Sequence, residues 1–81
     1  MKSLIFGYGV TGQSFERYLE KQGEAYEIYD ANVKGSNIIN KLPDRKKLDS
    51  YKMIYLSPGI NIRKIYSRGE FNHIPYTTDL D

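Results

Sequence analysis

The stretch that decides the fold prediction covers residues 4–12 and reads Leu4-Ile5-Phe6-Gly7-Tyr8-Gly9-Val10-Thr11-Gly12. Its first three residues form an uninterrupted apolar run, which is typical of a strand buried on both faces of a parallel sheet. The glycines that follow have the spacing G-x-G-x-x-G, and residues 13–22 then show the apolar periodicity of an amphipathic helix. Strand, glycine-rich turn and helix in this order predict a turn that holds phosphate groups.

The next segments add two strands to this unit. Gly23 stands where a left-handed residue ends a helix, and residues 25–29 predict a second strand. Ile38 and Ile39 predict a short edge strand, and Pro43 predicts the opening of a helical turn that reaches residue 48. The strands predicted at residues 4–6 and 25–29 lie on either side of the helix in the sequence, so they are expected to pair in parallel through a right-handed crossover.

The remaining segments complete the predicted sheet. Residues 53–56 form another apolar run, which predicts a core strand, and Ser57-Pro58-Gly59 ends it. Apolar spacing from residue 62 to residue 66 predicts a short helix that ends near Gly69. Residues 73–77 predict a final strand, and Pro75 places it at the edge of the sheet because proline donates no ladder hydrogen bond.

Alternating strands and helices of this kind predict an α/β fold, a Rossmann-like three-layer sandwich. We expect a mostly parallel sheet of about four to five strands with helices on both faces. At 81 residues the chain has room for one such domain, residues 1–81, and not for two. The first helix is expected to cross one face of the sheet.

Composition narrows the classes of function. The formal net charge is +2, too small to predict a nucleic-acid or membrane-surface partner. No apolar run approaches the roughly 20 residues that span a bilayer, so a cytoplasmic location is predicted. The chain has no cysteine and a single histidine, His73, so no metal site is predicted and no catalytic role is assigned to His73.

Each glycine of the turn has a distinct predicted role. Gly7 permits the tight turn, Gly9 lets a phosphate approach the main chain, and Gly12 allows the helix to pack closely on the strand. Exposed N–H groups at the start of the helix then face the anion, at the positive end of the helix dipole, and the Thr11 hydroxyl can add a donor. The alternative is that the glycines only form a tight connection.

Two further turns are predicted to line the same crevice. Asp30 ends the second strand, where an acidic residue in this topology commonly accepts hydrogen bonds from ribose hydroxyls or a base edge. Ser57, Pro58 and Gly59 follow another strand at the carboxyl end, where ligands bind to open parallel sheets. Both segments have a plainer interpretation as ordinary strand-ending turns.

The sequence also resembles a known family. The segment 7–14, with Gly7, Gly9, Thr11, Gly12 and Ser14 in the pattern G-x-G-x-T-G-x-S, is similar to the opening of the UDP-N-acetylmuramoyl-L-alanine:D-glutamate ligases, the MurD-like Mur ligases. Asp30, the turn Ser57-Pro58-Gly59-Ile60 and the final Asp79-Leu80-Asp81 resemble further landmarks of that family, in the same order and across essentially the whole chain.

The resemblance implies an N-terminal domain that binds UDP-N-acetylmuramoyl-L-alanine in peptidoglycan precursor synthesis. Gly9, Val10, Thr11 and Gly12 would hold the diphosphate. The uracil end would be met by Asp30, Ala31 and Asn32, although some family members carry threonine and arginine where this chain has Ala31 and Asn32. Residues 57–59 would lie beside the sugar phosphates.

The intact ligase implied by the resemblance joins D-glutamate to the muramoyl-alanine carboxylate through an acyl phosphate, with ATP and magnesium. The central ATPase domain and the C-terminal amino-acid-binding domain of that family lie outside these 81 residues. Since no G-x-x-x-x-G-K-[ST] loop occurs here, we expect this domain to bind and position substrate rather than to catalyse.

Two other functions fit the residues. The glycine-rich turn and Asp30 suit an NAD(P)-binding module of an oxidoreductase, or a nucleotide-sensing regulatory domain, equally well. The chain also has eight tyrosines, a residue that favours protein interfaces, so an interaction module is a third hypothesis. Tyr26, Tyr29 and Tyr55 are expected instead to pack between sheet and helices, with their hydroxyls at the rim.

Overall fold

The computed structural model describes residues 1–60, 62–66 and 75–78, with the backbone alone for residues 62 and 63. In this part of the chain the elements are β1 (Ser3–Phe6), α1 (Val10–Gln22), β2 (Tyr26–Tyr29), β3 (Ile38–Ile39), α2 (Arg45–Asp49), β4 (Ile54–Leu56), α3 (Ile62–Ile65) and β5 (Tyr76–Thr77). The described strands form one five-stranded sheet in the order β3-β2-β1-β4-β5, and every pair is parallel. The predicted α/β, Rossmann-like architecture is therefore confirmed.

The two faces of the sheet bury separate apolar clusters because side chains alternate along each strand. Ile5 and Ile28 point to one face, where Phe15 and Leu19 of α1 cover them. On the opposite face Leu4, Phe6, Ile54 and Leu56 pack with Leu48 of α2, with Tyr51 and with Tyr66, which follows α3. Burial of each fully enclosed Leu, Ile or Phe side chain stabilises the fold by about 1.5–3 kcal/mol.

The strand ends are aligned at the carboxyl edge of the sheet. Phe6, the last residue of β1, pairs with Tyr29 and with Leu56, which end β2 and β4. Tyr29 in turn pairs with Ile39, the last residue of β3. The loops that follow four neighbouring strands therefore leave the sheet at one level. The strand order reverses between β1 and β4, since β2 and β3 lie on one side of β1 and β4 and β5 on the other.

Two predicted boundaries need correction. α1 begins at Val10 and not near residue 13, because Gly9 caps it and the Gln13 amide already donates to the Gly9 carbonyl at 2.9 Å. Gly12 consequently lies inside the helix. Pro43 does not open α2, since Asp44 is its N-cap and accepts a hydrogen bond from the Lys47 amide.

The other predicted elements agree with the structure to within a residue or lie partly outside it. β2 begins at Tyr26 and β4 at Ile54, one residue later than predicted, and Gly23 ends α1 in the left-handed region at φ 71°. β3 and β5 are the edge strands, as predicted. Gly69, His73 and the segment 79–81 lie outside the described residues.

The tyrosines singled out in the sequence pack as expected. Tyr26 and Tyr55 are half-buried against the α1 side of the sheet, and Tyr29 is half-buried against the α2 side. Tyr55 contacts the Phe15 ring, with centroids 5.2 Å apart, and Tyr29 contacts the Phe6 ring at 4.9 Å. Across the described ranges, no helix combines the length and the apolar character needed to cross a membrane.

Candidate functional site

The glycine-rich turn connects β1 to α1 at the point where the strand order reverses. Gly7 has φ +97°, a conformation that side chains other than glycine rarely adopt. A Cβ atom at Gly7 would also lie 2.7 Å from Cδ1 of Ile60. Gly7 is thus required by the turn itself, in agreement with the role predicted for it.

Gly12 is required by the approach of α1 to the strand. A Cβ atom there would lie 2.1 Å from the Gly7 carbonyl oxygen and 3.5 Å from Cγ2 of Ile5. Only a residue without a side chain lets the first turn of the helix come this close to β1. This agrees with the helix-packing role predicted for the third glycine.

At position 9, by contrast, the described structure gives no packing or backbone reason for a glycine. Its backbone is extended at φ −97° and ψ −155°, which other residues adopt. Among the described residues, its two chain neighbours aside, no atom lies within 4 Å of the position that its Cβ would take. The space beside Gly9 is therefore open. Gly9 is also the N-cap of α1, and it provides no side-chain hydrogen bond to the helix.

The amides next to Gly9 are available to a ligand. The first N–H groups of a helix have no partners within it. Among the described residues, no acceptor is bonded to the amides of Val10, Thr11 or Gly12. The Val10 side chain is 83% exposed, and Thr11 is half-buried. These amides lie at the positive end of a 13-residue helix, an arrangement that suits an anion.

Asp30 fastens the glycine-rich turn to the end of β2. Its Oδ2 accepts a hydrogen bond from the Tyr8 amide at 2.9 Å, and its Oδ1 accepts from the amides of Asn32 and Val33 at 2.8 and 3.1 Å. The hydrogen bonds from Tyr8 and Asn32 hold the pKa of the Asp30 carboxyl below its ordinary value, against the opposing effect of burial. Three of the roughly four lone-pair positions of this carboxylate are thus occupied by the main chain.

Ala31 and Asn32 form the exposed start of the loop after β2. The loop is held from behind by Asn40, whose Nδ2 donates to the carbonyls of Asp30 at 2.6 Å and Val33 at 2.8 Å. Sequence reasoning missed Asn40, because an asparagine after a two-residue strand has no local pattern that indicates a partner ten positions earlier.

The segment after β4 lies on the other side of the glycine-rich turn. Ser57 and Ile60 close a turn through a 3.0 Å hydrogen bond from the Ile60 amide to the Ser57 carbonyl. Ser57 Oγ and the Ile60 side chain both lie beside Gly7, whereas Pro58 and Gly59 are exposed. The structure therefore brings Gly7, Asp30 and Ser57 together at the carboxyl edge of the sheet, as predicted. The glycine-rich turn, which contains Gly7, lies between Asp30 and Ser57.

Tyr8 is a second residue that sequence reasoning missed. Its amide is bound by Asp30, and its hydroxyl donates to Oε1 of Glu16 at 2.6 Å. The hydrogen bond to Glu16 and, secondarily, burial raise the pKa of the Tyr8 hydroxyl. Glu16 also accepts from the Tyr26 hydroxyl at 2.7 Å. Tyr8 is thus held through both its main-chain amide and its hydroxyl, which fixes the turn just before Gly9.

The described residues contain no group of three or more His, Cys, Asp or Glu side chains placed to hold a metal ion. Comparisons with models of known protein families, with curated proteins and with solved structures found no match to this chain.

Proposed function

We propose that this domain binds the diphosphate of a uridine nucleotide at the start of α1. The observation that carries the proposal is the position of Gly9. The turn needs Gly7 and the helix packing needs Gly12, but no contact within the described structure needs a glycine at position 9. A ligand that must come close to the main chain from outside would explain why this position has no side chain.

The charge of the site supports an anionic ligand. Unpaired amides at a helix N-terminus carry a partial positive charge, and hydrogen bonds from such amides to phosphate oxygens are charge-assisted. Asp30, the acidic side chain bonded to the turn, accepts hydrogen bonds from three main-chain amides, and its lowered pKa keeps it ionised. The attraction for a phosphate therefore comes from the unpaired amides of residues 10 and 11 at the start of α1.

Together with the resemblance in the sequence, these features support an N-terminal domain of a MurD-like ligase. In this proposal the ligand is UDP-N-acetylmuramoyl-L-alanine, and the protein acts in the cytoplasm in peptidoglycan precursor synthesis. Binding energy from the UDP part would position the muramoyl-alanine carboxylate for reaction in the further domains, where ATP and magnesium would be bound. The domain would contribute positioning and no reacting group.

An NAD(P)-binding module is the second candidate function. In a dinucleotide-binding domain the acidic residue at the end of β2 accepts a hydrogen bond from the ribose 2′-hydroxyl. The Asp30 carboxylate already accepts three main-chain hydrogen bonds and has capacity for about one more, which such a hydroxyl can fill. Asp30 therefore fits both candidates, and the choice between them depends on which ligand binds.

Calorimetric titration of the 81-residue chain tests the proposal. We expect UDP-N-acetylmuramoyl-L-alanine and UDP to bind in preference to NADH. Gly9→Leu should weaken uridine nucleotide binding about tenfold or more, a loss of roughly 1.4 kcal/mol or more. The variant should stay folded, because its side chain enters open space from an extended backbone.

Ser36→Leu is the matched control for this experiment. It adds the same side chain to an exposed loop residue just before β3, at the opposite edge of the sheet, and should bind UDP like the unmodified chain. Preferential binding of NADH, or equal affinity of Gly9→Leu and Ser36→Leu for UDP, would refute the proposal.

A further inference from the structure

Asn40, the residue directly after β3, uses its whole side chain to hold the loop that follows β2. Its Nδ2 group, which has two N–H donors, donates to the Asp30 carbonyl at 2.6 Å and to the Val33 carbonyl at 2.8 Å. Its Oδ1 accepts from the Lys34 ammonium group at 3.3 Å. Because both ends of the side-chain amide are bonded, the orientation of this half-buried side chain is fixed.

The two carbonyls that Asn40 binds are the first and the last of the loop 30–33. From within the loop, Oδ1 of Asp30 accepts from the amides of Asn32 and Val33. Asn40 thus joins both ends of a turn that the Asp30 carboxylate already closes. The exposed middle of the loop therefore takes its course from these hydrogen bonds.

The loop 30–33 lies beside the proposed diphosphate site. Oδ2 of Asp30 accepts from the amide of Tyr8, two residues before Val10, where α1 begins. In open parallel sheets with this strand order, the end of β2 faces the ribose of a nucleotide whose phosphates lie at the start of the first helix. The nucleoside part of the ligand, its ribose and base, is therefore expected to meet this loop.

The loop offers mainly main-chain groups to a nucleoside. Ala31 has no polar side-chain atom, and the Asp30 carboxylate has capacity for about one more hydrogen bond. Over the part of the chain that the structure describes, nothing is bonded to the amide or the carbonyl of Ala31, or to the carbonyl of Asn32. Main-chain groups cannot rotate as side chains do, so their directions depend on the groups that hold the loop.

We infer that Asn40 is a positioning residue for recognition of the nucleoside. It holds the loop 30–33 in the shape that presents the main-chain groups of Ala31 and Asn32 to the ribose and base of the nucleotide whose diphosphate lies at Gly9. Asn40 itself touches no ligand. The inference rests on the proposed function and adds the residue that shapes the nucleoside end of the same site.

Titration with UDP and with inorganic pyrophosphate, which has the diphosphate and no nucleoside, tests this role. The unmodified chain should bind UDP about tenfold more tightly than pyrophosphate. Asn40→Ala removes both donors, so UDP affinity should fall about three- to tenfold while pyrophosphate affinity stays within about twofold. A general loss of structure would weaken the binding of both compounds, so the ratio of the two affinities separates positioning from stability.

Asn40→Asp is a second variant that keeps the size of the side chain. It replaces the N–H donors with a carboxylate oxygen opposite two carbonyl oxygens, so it should lower UDP affinity at least as much as Asn40→Ala. Amide hydrogen exchange at Asn32 and Val33 should become faster in both variants, because the loop that closes on Asp30 is no longer held at its ends.

Asn37→Ala is the matched control. Asn37 lies directly before β3 as Asn40 lies directly after it, and its Nδ2 donates to the Tyr26 carbonyl at 3.0 Å, at the opposite end of β2. The control removes the same type of hydrogen bond away from the loop, so the ratio of UDP to pyrophosphate affinity should not change. Urea unfolding of each variant shows whether the fold is retained.

Three results would overturn the role of Asn40 and leave the diphosphate site intact. The first is an unchanged UDP affinity in Asn40→Ala, and the second is a parallel loss of UDP and pyrophosphate affinity. The third is equal affinity of the unmodified chain for the two compounds, because the loop would then contact no nucleoside. If the unmodified chain binds neither compound, the proposed function fails together with this inference.

Discussion

The carboxylate of Asp30 accepts a hydrogen bond from the main-chain amide of Tyr8 at 2.9 Å, so the end of β2 is tied directly to the glycine-rich turn after β1. The two residues are 22 positions apart in the chain and meet because β1 and β2 pair in parallel and end at the same level. A residue predicted to contact a ligand therefore has a structural role that does not depend on one.

Asp30→Asn should destabilise the domain. The side-chain amide retains one acceptor oxygen, so its NH₂ group must face either the Tyr8 amide or the amides of Asn32 and Val33. We expect the free energy of unfolding, measured in urea, to fall by about 1–3 kcal/mol. Asp49→Asn, which alters an exposed carboxylate paired with Arg45 at 3.7 Å, should cost less than about 0.5 kcal/mol. Equal losses in the two variants would contradict the structural role of Asp30.

Stability should fall in acid because the pKa of two carboxyls is lowered in the folded state. The Asp30 pKa is lowered by its main-chain donors. For Glu27, burial raises the pKa, but the hydrogen bond from Tyr51 and the charges of Lys47 and Lys2 lower it overall. Their stabilising contribution is present above the ordinary values of 3.8 and 4.5 and is lost as the pH falls through the lower folded values. Urea unfolding from neutral pH to about pH 3 should show this loss, with a smaller decrease for Asp30→Asn. A stability that is constant over this range would contradict it.

Gly12→Ala should be far more destabilising than its small size suggests. The added methyl group would lie 2.1 Å from the Gly7 carbonyl oxygen, a main-chain atom that cannot turn aside, so α1 must move away from β1. We expect a loss of about 2 kcal/mol or more in thermal or urea unfolding. Lys21→Ala, at an exposed position of the same helix, should change stability by less than about 0.5 kcal/mol. A Gly12→Ala variant as stable as the control would show that the helix does not approach the strand this closely.

Tyr8→Phe should loosen the turn without unfolding the domain. It removes the 2.6 Å hydrogen bond to Glu16 and keeps the ring, so a loss of about 0.5–1.5 kcal/mol in stability is expected. UDP affinity should fall several-fold, since the amides that follow Tyr8 are held less firmly, and amide hydrogen exchange at residues 8–11 should become faster. The control is Tyr18→Phe, because the Tyr18 hydroxyl has no hydrogen-bond partner in the described ranges. If amide exchange at residues 8–11 is unchanged in Tyr8→Phe, the hydrogen bond from Tyr8 to Glu16 does not stabilise the turn.

The sequence was sufficient for the parts of the fold that depend on local patterns. Apolar runs predicted the central strands, and the glycine spacing predicted both the turn and its place between strand and helix. The start of α1 was predicted too late, because glycine is a poor helix former and Gly12 gave no local sign of lying within the first helical turn. The close contact with the Gly7 carbonyl that explains Gly12 is a tertiary feature.

The sequence predicted which residues form the candidate site but not the hydrogen bonds that connect them. Gly7, Asp30 and Ser57 lie at one edge of the sheet as expected, since the carboxyl ends of parallel strands meet there. The partners of Asp30 could not be predicted, because which amides a carboxylate accepts from depends on how two distant turns are packed. For the same reason the sequence did not reveal the contributions of Tyr8, Glu16 and Asn40.

The lack of a side-chain hydrogen bond at the N-cap of α1 has a consequence for laboratory evolution. Serine is among the best residues at a helix N-cap, and Gly9 has an extended backbone and room for a side chain, so Gly9→Ser should raise the melting temperature by adding a cap. The same hydroxymethyl group would occupy the space through which a phosphate reaches the main chain. Selection for heat resistance alone would therefore favour Gly9→Ser early and remove ligand affinity, whereas selection that retains the ligand would keep the less stable glycine.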